Sequence, residues 1–266
     1  NIKSIYGTSI GAILGAVLLL QYDWPTINEY IIKRPWGKIF ILQPYELMYI
    51  YKNQGLFDIY RILSSSLTPL LLGKGLDTDI TLQQFYEYTG VDYHLYTIEM
   101  QTFSVVDLSH KTHPYMSLVT ALCMTSAVPF ASSPIWRDGK CYIDGGILAN
   151  YPIPQCILQQ NCEMDEILGI HYKLDNAGIL NINKSSNIID IYNCVILHLL
   201  NTLKLEDHIA DNVLKQITYD VYINNKRLSL SDWRNITSTE KTRGKYIQFG
   251  RELADIYIQH WKKRIE

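Results

Sequence analysis

The chain has 266 residues, of which 47% are hydrophobic and 19% charged, and its net charge at pH 7 is −2. That size and composition are ordinary for a globular protein with one substantial core. The small negative net charge excludes the basic field that nucleic-acid binding requires, so no nucleic-acid partner is expected. The five cysteines include no C-x-x-C pair. Such cysteines are typical of reduced thiols and not of a zinc site or a disulfide framework.

The first residues predict a nucleophile elbow, a sharp strand-to-helix turn that exposes a serine. The apolar run 2–6 predicts a buried strand and residues 10–20 predict a helix, with Gly7-x-Ser9-x-Gly11 between them. We expect glycine at both flanking positions because a Cβ there would collide with the neighbouring element. The Ser9 hydroxyl would then lie at a helix N-terminus, where free N–H groups and the helix dipole favour an oxyanion.

The same glycines allow a second interpretation. Gly7, Gly11 and Gly15 form a stripe of small residues at a spacing of four, which favours close packing of the helix on a neighbour. A membrane span would use such a stripe, but spanning needs about 20 apolar residues. This apolar run ends at Gln21, so we predict no transmembrane segment here. Close packing and catalysis are compatible with each other in this helix.

Hydrophobic periodicity, caps and turn residues predict the remaining elements. The clearest local signals are the capping box of Thr81 and Gln84, closed by Gly90, and the Asp138-Gly139 turn of a hairpin. Segment 24–75 is apolar and aromatic without a clean period, and it predicts either a lid beside the site or a helical layer over the sheet. In chain order the predicted elements are helices 26–33, 44–51, 57–67 and 81–88, strands 94–100 and 103–108, helix 113–127, hairpin strands 134–137 and 140–143, helix 152–160, strand 166–173, helix 188–205, strand 218–223 and helix 239–261.

A serine hydroxyl needs a base to accept its proton, and Asp144 is the best candidate. It ends a predicted strand, so its carboxylate leaves the sheet edge, and Gly145 and Gly146 let a second backbone or a substrate approach. Partial desolvation beside the elbow would raise its pKa above the usual value of about 4. Asp-Gly-Gly is equally compatible with a plain turn. The histidines are weaker candidates, because none follows a strand within a loop of small residues: His94, His110, His113, His171, His198, His208 and His260.

Together these motifs resemble the patatin-like phospholipases over nearly the whole chain. The matching segments are the elbow at 7–12, then 55–58, 113–114 with 125–130, and 144–152, which carries Asp-Gly-Gly with its Asn and Pro. The resemblance implies an α/β fold, a three-layer α/β/α sandwich whose mostly parallel central sheet carries the elbow after the first strand of this chain. It implies a Ser–Asp dyad of Ser9 and Asp144 that hydrolyses fatty acyl esters of glycerolipids through an acyl-enzyme. The partner would be a lipid or membrane surface, and the reaction would need neither a metal nor another cofactor.

One departure from the family pattern concerns the oxyanion hole. The family carries a glycine-rich loop upstream of the elbow, whose N–H groups hold the oxyanion, and only eight residues precede Ser9 here. We therefore expect a single patatin-like domain over 1–266, truncated at its N-terminus and nearly inactive as given, with the Ile10 N–H as the remaining donor. Targeting information would lie upstream as well. We expect a cytoplasmic or peripherally membrane-associated protein.

Two other functions are compatible with the sequence. An ordinary Ser-His-Asp esterase would follow the allowed chain order of Ser9, Asp144 and a later histidine. A lipid-binding or scaffold protein would keep the same fold without catalysis. The first alternative predicts a histidine at the serine, whereas the second predicts that Ser9 is unreactive.

Overall fold

The computed structural model describes residues 2–40, 54–163, 166–171, 191, 194–195, 221–222 and 235–265. The chain divides into two compact units. The first consists of Asn1–Ile27 and Pro35–Pro152, and the second of Asn28–Arg34 and Ile153–Glu266. The expectation of one domain over 1–266 stays a prediction.

Helices and strands are mixed along the chain, and the α/β class predicted from the sequence is confirmed. In chain order the elements are β1 (Ser4–Thr8), α1 (Ile10–Leu19), α2 (Trp24–Lys33), α3 (Trp36–Ile39), β2 (Gly55–Phe57), α4 (Ile59–Gly73), α5 (Leu82–Thr89), β3 (Asp92–Glu99), β4 (Ser104–Leu108), α6 (Leu118–Thr125), β5 (Phe130–Ser132), β6 (Ile135–Arg137), β7 (Lys140–Asp144), a 3-10 turn (Gly145–Ile147), α7 (Ile153–Gln160), β8 (Ile170–His171), β9 (Val221–Tyr222) and α8 (Glu240–Ile265).

A five-stranded sheet forms the centre of the first unit, in the order β1-β3-β7-β6 with β4 also paired to β3. β1 and β3 are parallel. Short turns join β3 to β4 and β6 to β7, so these pairs are antiparallel, as is the pair of β3 with β7. Two further parallel pairs lie in separate small sheets, β2 with β5 and β8 with β9. The five-stranded sheet is therefore mixed in direction.

Helices α1 and α6 pack on this sheet through small residues and threonine hydroxyls. Ala12 and Gly15 of α1 are buried, and the Tyr93 hydroxyl of β3 donates a hydrogen bond to the Ala12 carbonyl. A Cβ at Gly15 would lie 3.2 Å from Cε2 of Tyr93, so a larger residue there would push the helix away. α6 is buried along its length, and Thr97 of β3 donates to its Met124 carbonyl at 2.9 Å.

Several predicted element boundaries are shifted, and three of the shifts have an identifiable reason. β1 lies two residues later than predicted, because its ladder with β3 continues up to the elbow. Phe57 ends β2 instead of beginning the predicted helix 57–67, and α4 begins only after Asp58, whose side chain accepts the Arg61 N–H. α6 begins after Ser117, which caps it by accepting the Thr120 N–H, and not at residue 113.

The strongest local predictions are confirmed. Thr81 and Gln84 make both bonds of the capping box, and Gly90 closes α5 with φ of 66°. Asp138 and Gly139 have φ of 51° and 76°, the pair of positive values that a type I′ hairpin turn requires. Predicted helix 44–51 and most of predicted helix 188–205 lie outside the described residues. The described parts of predicted strands 166–173 and 218–223 contain β8 and β9.

Segment 24–75 contains α2, α3, β2 and α4, and its residues 41–53 lie outside the described part. α4 packs on α6 and buries Leu67 and Leu71, which are 1% and 0% exposed. Such burial is typical of a helical layer over a sheet. A lid formed by other parts of this segment stays a prediction.

Arg243 organises the described part of the second unit. Its side chain is 6% exposed and donates to the carbonyls of Ile32 at 2.8 Å, Ile236 at 2.8 Å and Thr237 at 3.0 Å. A further bond reaches the Arg34 carbonyl at 3.3 Å. The guanidinium thus satisfies carbonyls at the C-terminal end of α2, where a cation is favourable.

Among the helices in the described ranges, none is long and apolar enough to cross a membrane.

Candidate active site

The register of the sheet brings the two predicted catalytic residues together. β1 runs along one edge of β3 and ends with Thr8 opposite Tyr96. β4 occupies the other edge of β3, so β7 pairs along the same edge as β1. β7 runs in the opposite direction and ends with Asp144 opposite Thr97. The C-terminal ends of β1 and β7 therefore meet at adjacent residues of β3. Ser9, which follows Thr8, lies at this junction with Asp144.

Ser9 has the strained backbone of a nucleophile elbow. Its φ is 53° and its ψ is −123°, a conformation that residues other than glycine rarely adopt. A Cβ at Gly7 would lie 2.8 Å from the main chain of Ala12, so glycine is required there, as predicted. The same prediction is wrong for Gly11. A Cβ at that position would meet nothing within 4 Å, because Gly11 lies on the exposed side of α1.

Asp144 is a buried carboxylate with one oxygen left for the serine. It is 5% exposed, and its Oδ1 accepts the Gly146 N–H at 2.7 Å. Burial raises the pKa of Asp144 to about 6, against the opposing effects of the Ser9 side chain and the Gly146 N–H. Oδ2 is buried and lacks a hydrogen bond of good geometry. The Ser9 hydroxyl thus faces the carboxyl closely enough to affect its pKa, but without a closed hydrogen bond. The predicted rise of this pKa is confirmed.

Gly145 permits the close approach that puts Asp144 at the elbow. A Cβ there would lie 2.2 Å from the Tyr96 carbonyl oxygen and 3.0 Å from Cγ2 of Thr8. The Thr8 hydroxyl, in turn, donates to the Ala149 carbonyl at 2.6 Å and holds the segment after the 3-10 turn. Gly146 has the separate task of presenting its N–H to the carboxylate. Both glycines of the Asp-Gly-Gly segment therefore help to place the Asp144 carboxylate, Gly145 by its close packing and Gly146 by its hydrogen bond.

Thr125, at the end of α6, is a residue of this site that sequence reasoning missed. Its hydroxyl oxygen accepts the Ser9 N–H at 3.0 Å and its hydroxyl proton goes to the Tyr96 carbonyl at 2.5 Å. Thr125 and its neighbour Ser126 are buried, and the Ser126 hydroxyl has no hydrogen-bond partner. Segment 125–130 carries part of the family resemblance, but nothing local in it indicates a contact with Ser9.

The oxyanion donor predicted at Ile10 stays a prediction. The first intrahelical bond into this turn runs from the Ile13 N–H to the Ser9 carbonyl, so the N–H of Ile10 precedes the hydrogen-bonded part of α1. The Ser9 N–H is already bound to Thr125 and is not free for this role.

No histidine is hydrogen-bonded to Ser9 or Asp144 among the side chains that the structure describes. His94 is 2% exposed and lies between two carboxylates, with Nε2 3.0 Å from Asp92 and Nδ1 2.8 Å from Asp107. These pairs raise the pKa of His94, although burial opposes the rise. Within the described ranges, no group of three or more His, Cys, Asp or Glu side chains could hold a metal ion.

A family model described as patatin-like phospholipase matches residues 1–157. The match spans more than half of the chain and includes Ser9 and Asp144. The chain belongs to the patatin-like phospholipase family. "Probable lipid hydrolase 463L" of Invertebrate iridescent virus 6 is 27% identical to this patatin-like chain over 107 residues, which is 40% of the chain and 37% of the relative. "Uncharacterized protein R571" of Acanthamoeba polyphaga mimivirus is 22% identical over 183 residues, 67% of the chain and 57% of the relative.

The patatin-like chain therefore spans less than two thirds of the length of either viral relative. Among solved structures, VipD from Legionella pneumophila is similar with a TM-score of 0.45 and 13% identity, over 97% of this chain and 62% of that one. A likeness of that size does not bear on function.

Proposed function

We propose that this patatin-like chain is the catalytic part of a serine lipid acyl hydrolase that cleaves fatty acyl esters of glycerolipids. Ser9 is the nucleophile and Asp144 the general base. The observation that carries the proposal is the junction of β1 and β7 on β3, which sets a strained serine beside a buried carboxylate with a free oxygen. Strain and a raised pKa at one place are typical of active sites.

The proposed reaction passes through an acyl-enzyme. Oγ of Ser9 attacks the acyl carbonyl carbon while its proton moves to Oδ2 of Asp144, and the carbonyl electron pair moves onto the oxygen. Collapse of this intermediate breaks the ester C–O bond, and the alcohol leaves with the proton from Asp144. Water then attacks the acyl-serine, Asp144 accepts one of its protons, and that proton returns to Ser9 as the fatty acid leaves. A base with a pKa of about 6 accepts a proton more readily than an ordinary carboxylate does.

The negative charge on the tetrahedral oxygen has to be met by fixed donors, each worth about 100- to 1,000-fold in rate. The Ile10 N–H at the start of α1 is the proposed donor from the described residues. The positive end of the helix dipole adds to its effect.

Apolar side chains beside the dyad support a lipid substrate. Ile10 and Leu14 lie one turn apart on α1 and are 63% and 56% exposed. On the Asp144 side, the Asp144 N–H is bound to the Ala127 carbonyl, and the next residue, Val128, is 44% exposed. An acyl chain gains about 0.8 kcal/mol for each methylene that it buries against such surfaces. The name of the iridescent virus relative, a probable lipid hydrolase, agrees with this substrate class.

The substrate proposal predicts a dependence on chain length. We expect decanoyl esters to be hydrolysed with a kcat/KM at least about 100-fold above that of acetyl esters, because only part of the added chain needs to be buried to reach this ratio. Equal turnover of the two esters would contradict a lipid substrate while leaving the dyad intact.

The dyad is tested by labelling with a fluorophosphonate probe and by ester hydrolysis, using the full natural protein. Ser9→Ala and Asp144→Asn should each abolish ester hydrolysis, and the double variant should be no worse, because the pair acts as a unit. Ser104→Ala, at the exposed start of β4, and Asp138→Asn, in the exposed turn between β6 and β7, are matched controls that should keep full activity.

Each other outcome points to a different function. Wild-type protein that binds lipid vesicles but never reacts with the probe would indicate a lipid-binding or scaffold protein. Loss of activity on replacing a histidine, with unchanged unfolding free energy, would indicate a Ser-His-Asp esterase instead.

A further inference from the structure

We propose that Thr125 is a positioning residue for the nucleophile, and that its hydroxyl holds the backbone of Ser9 in the reactive conformation. This inference rests on the proposed function, since it assigns a task within the same site. The bonds of the Thr125 hydroxyl go to the main chain of Ser9 and of Tyr96. Thr125 acts through Ser9.

The hydroxyl of Thr125 lies between two main-chain groups. It accepts the Ser9 N–H at 3.0 Å and donates its own proton to the Tyr96 carbonyl at 2.5 Å. Thr125 is 0% exposed, so water cannot replace either bond. One hydroxyl therefore connects the elbow to the central strand of the sheet, and its bond to Ser9 spans 116 positions of sequence.

Ser9 needs such a constraint because its conformation is unfavourable. A residue other than glycine at φ 53° and ψ −123° costs about 1–3 kcal/mol and persists only where its surroundings enforce it. The bond to Thr125 fixes the peptide plane that precedes Cα of Ser9. Without an acceptor, that part-buried N–H would lack a protein partner, and the strained turn could relax by rotating the peptide plane.

The Tyr96 carbonyl makes this bond relevant to the geometry of the dyad. Gly145 packs so closely on the same carbonyl that a Cβ would lie 2.2 Å from its oxygen. Thr125, which holds Ser9, and Gly145, which follows Asp144, therefore both lie against the same carbonyl group of β3. This shared contact relates the position of the nucleophile to that of the base. The Thr125 hydroxyl fixes the position of the Ser9 main chain. It thereby determines the distance between the Ser9 hydroxyl and the Asp144 carboxylate.

The experiment compares Thr125→Val, which has the same shape without a hydroxyl, with Thr125→Ser, which keeps the hydroxyl. Thr120→Val is the matched control, because Thr120 lies on the same helix and its hydroxyl accepts a bond from the Ser117 hydroxyl at 2.8 Å instead of contacting the elbow. We expect fluorophosphonate labelling of Ser9 and kcat to fall by about 10- to 100-fold in Thr125→Val, since a displacement of about 1 Å at a catalytic group has that effect. KM and the pH profile should not change, and Thr125→Ser and Thr120→Val should stay near the wild-type rate.

Amide hydrogen exchange at Ser9, followed by NMR, reads the bond directly and does not depend on activity. It should accelerate at least about tenfold in Thr125→Val relative to the amide of Tyr6 in the same molecule, because the Ser9 N–H loses its acceptor. Unchanged exchange at Ser9, or a labelling rate in Thr125→Val equal to that of Thr120→Val, would overturn the proposal. A wild-type protein that never labels would overturn the hydrolase function, while the exchange measurement would still decide whether Thr125 holds Ser9.

Discussion

Replacing Asp144 by asparagine should stabilise the protein while abolishing its activity. The carboxylate is 5% exposed, and burial raises the pKa of Asp144 from 3.8 to about 6. Between these values the folded protein binds more protons than the unfolded chain does. Stability is therefore lost as pH rises from about 4 to about 6, and the loss is constant above that interval. Asparagine keeps an oxygen for the Gly146 N–H and never ionises.

The size of the effect follows from the pKa. A rise from 3.8 to about 6 corresponds to about 3 kcal/mol of lost stability at pH 8, where the carboxyl is ionised in both states. At pH 4.5 the folded carboxyl is mostly protonated, and the loss is about 1 kcal/mol. The free energy of unfolding of Asp144→Asn should exceed that of the wild type by these amounts. The gain should therefore shrink by about 2 kcal/mol on acidification.

Urea unfolding followed by tryptophan fluorescence at pH 8 and pH 4.5 measures both differences. Asp138→Asn is the matched control, since that side chain is 86% exposed and should give the same small change at either pH. Equal unfolding free energies for wild type and Asp144→Asn at pH 8 would refute the reasoning. So would a gain that is no smaller at pH 4.5.

Three further predictions concern the dyad, its glycines and the second unit. The kcat/KM for ester hydrolysis should rise with pH and level off above an apparent pKa of about 6, because Asp144 accepts a proton only when ionised. A pH profile of kcat/KM that falls with rising pH would contradict this role. Gly145→Ala should lower the melting temperature and the labelling of Ser9, because its Cβ would overlap the Tyr96 carbonyl. Gly11→Ala should melt at or above the wild-type temperature, and the reverse order of the two melting temperatures would show that the elbow is packed differently. Arg243→Ala should reduce the free energy of unfolding in urea by about 2–5 kcal/mol, and Arg243→Lys should reduce it by less. A change below about 0.5 kcal/mol in Arg243→Ala would mean that the carbonyls bound by Arg243 find other partners.

Some of the candidate site could be predicted because its signals are local. The elbow depends on a strand, a helix and Gly7 within twelve residues, and the clash at Gly7 is with the main chain of Ala12, only five positions away. The capping box at Thr81 and the turn at Asp138 likewise depend on neighbours in sequence. Asp144 was identified from its place at a strand end, and from the family resemblance.

The tertiary structure alone decided how these pieces meet. The bonds of Ser9 to Thr125 and of Thr8 to Ala149 span 116 and 141 positions, and no local pattern encodes such contacts. The same holds for the glycines: Gly7 and Gly11 look equivalent in the motif, but only Gly7 faces a neighbouring main chain. The raised pKa of Asp144 depends on burial, which results when β1 and β7 end against each other on β3. Sequence determined which residues could react, and the register of three strands decided that a serine and an aspartate lie side by side, because strand pairing fixes positions to within one residue.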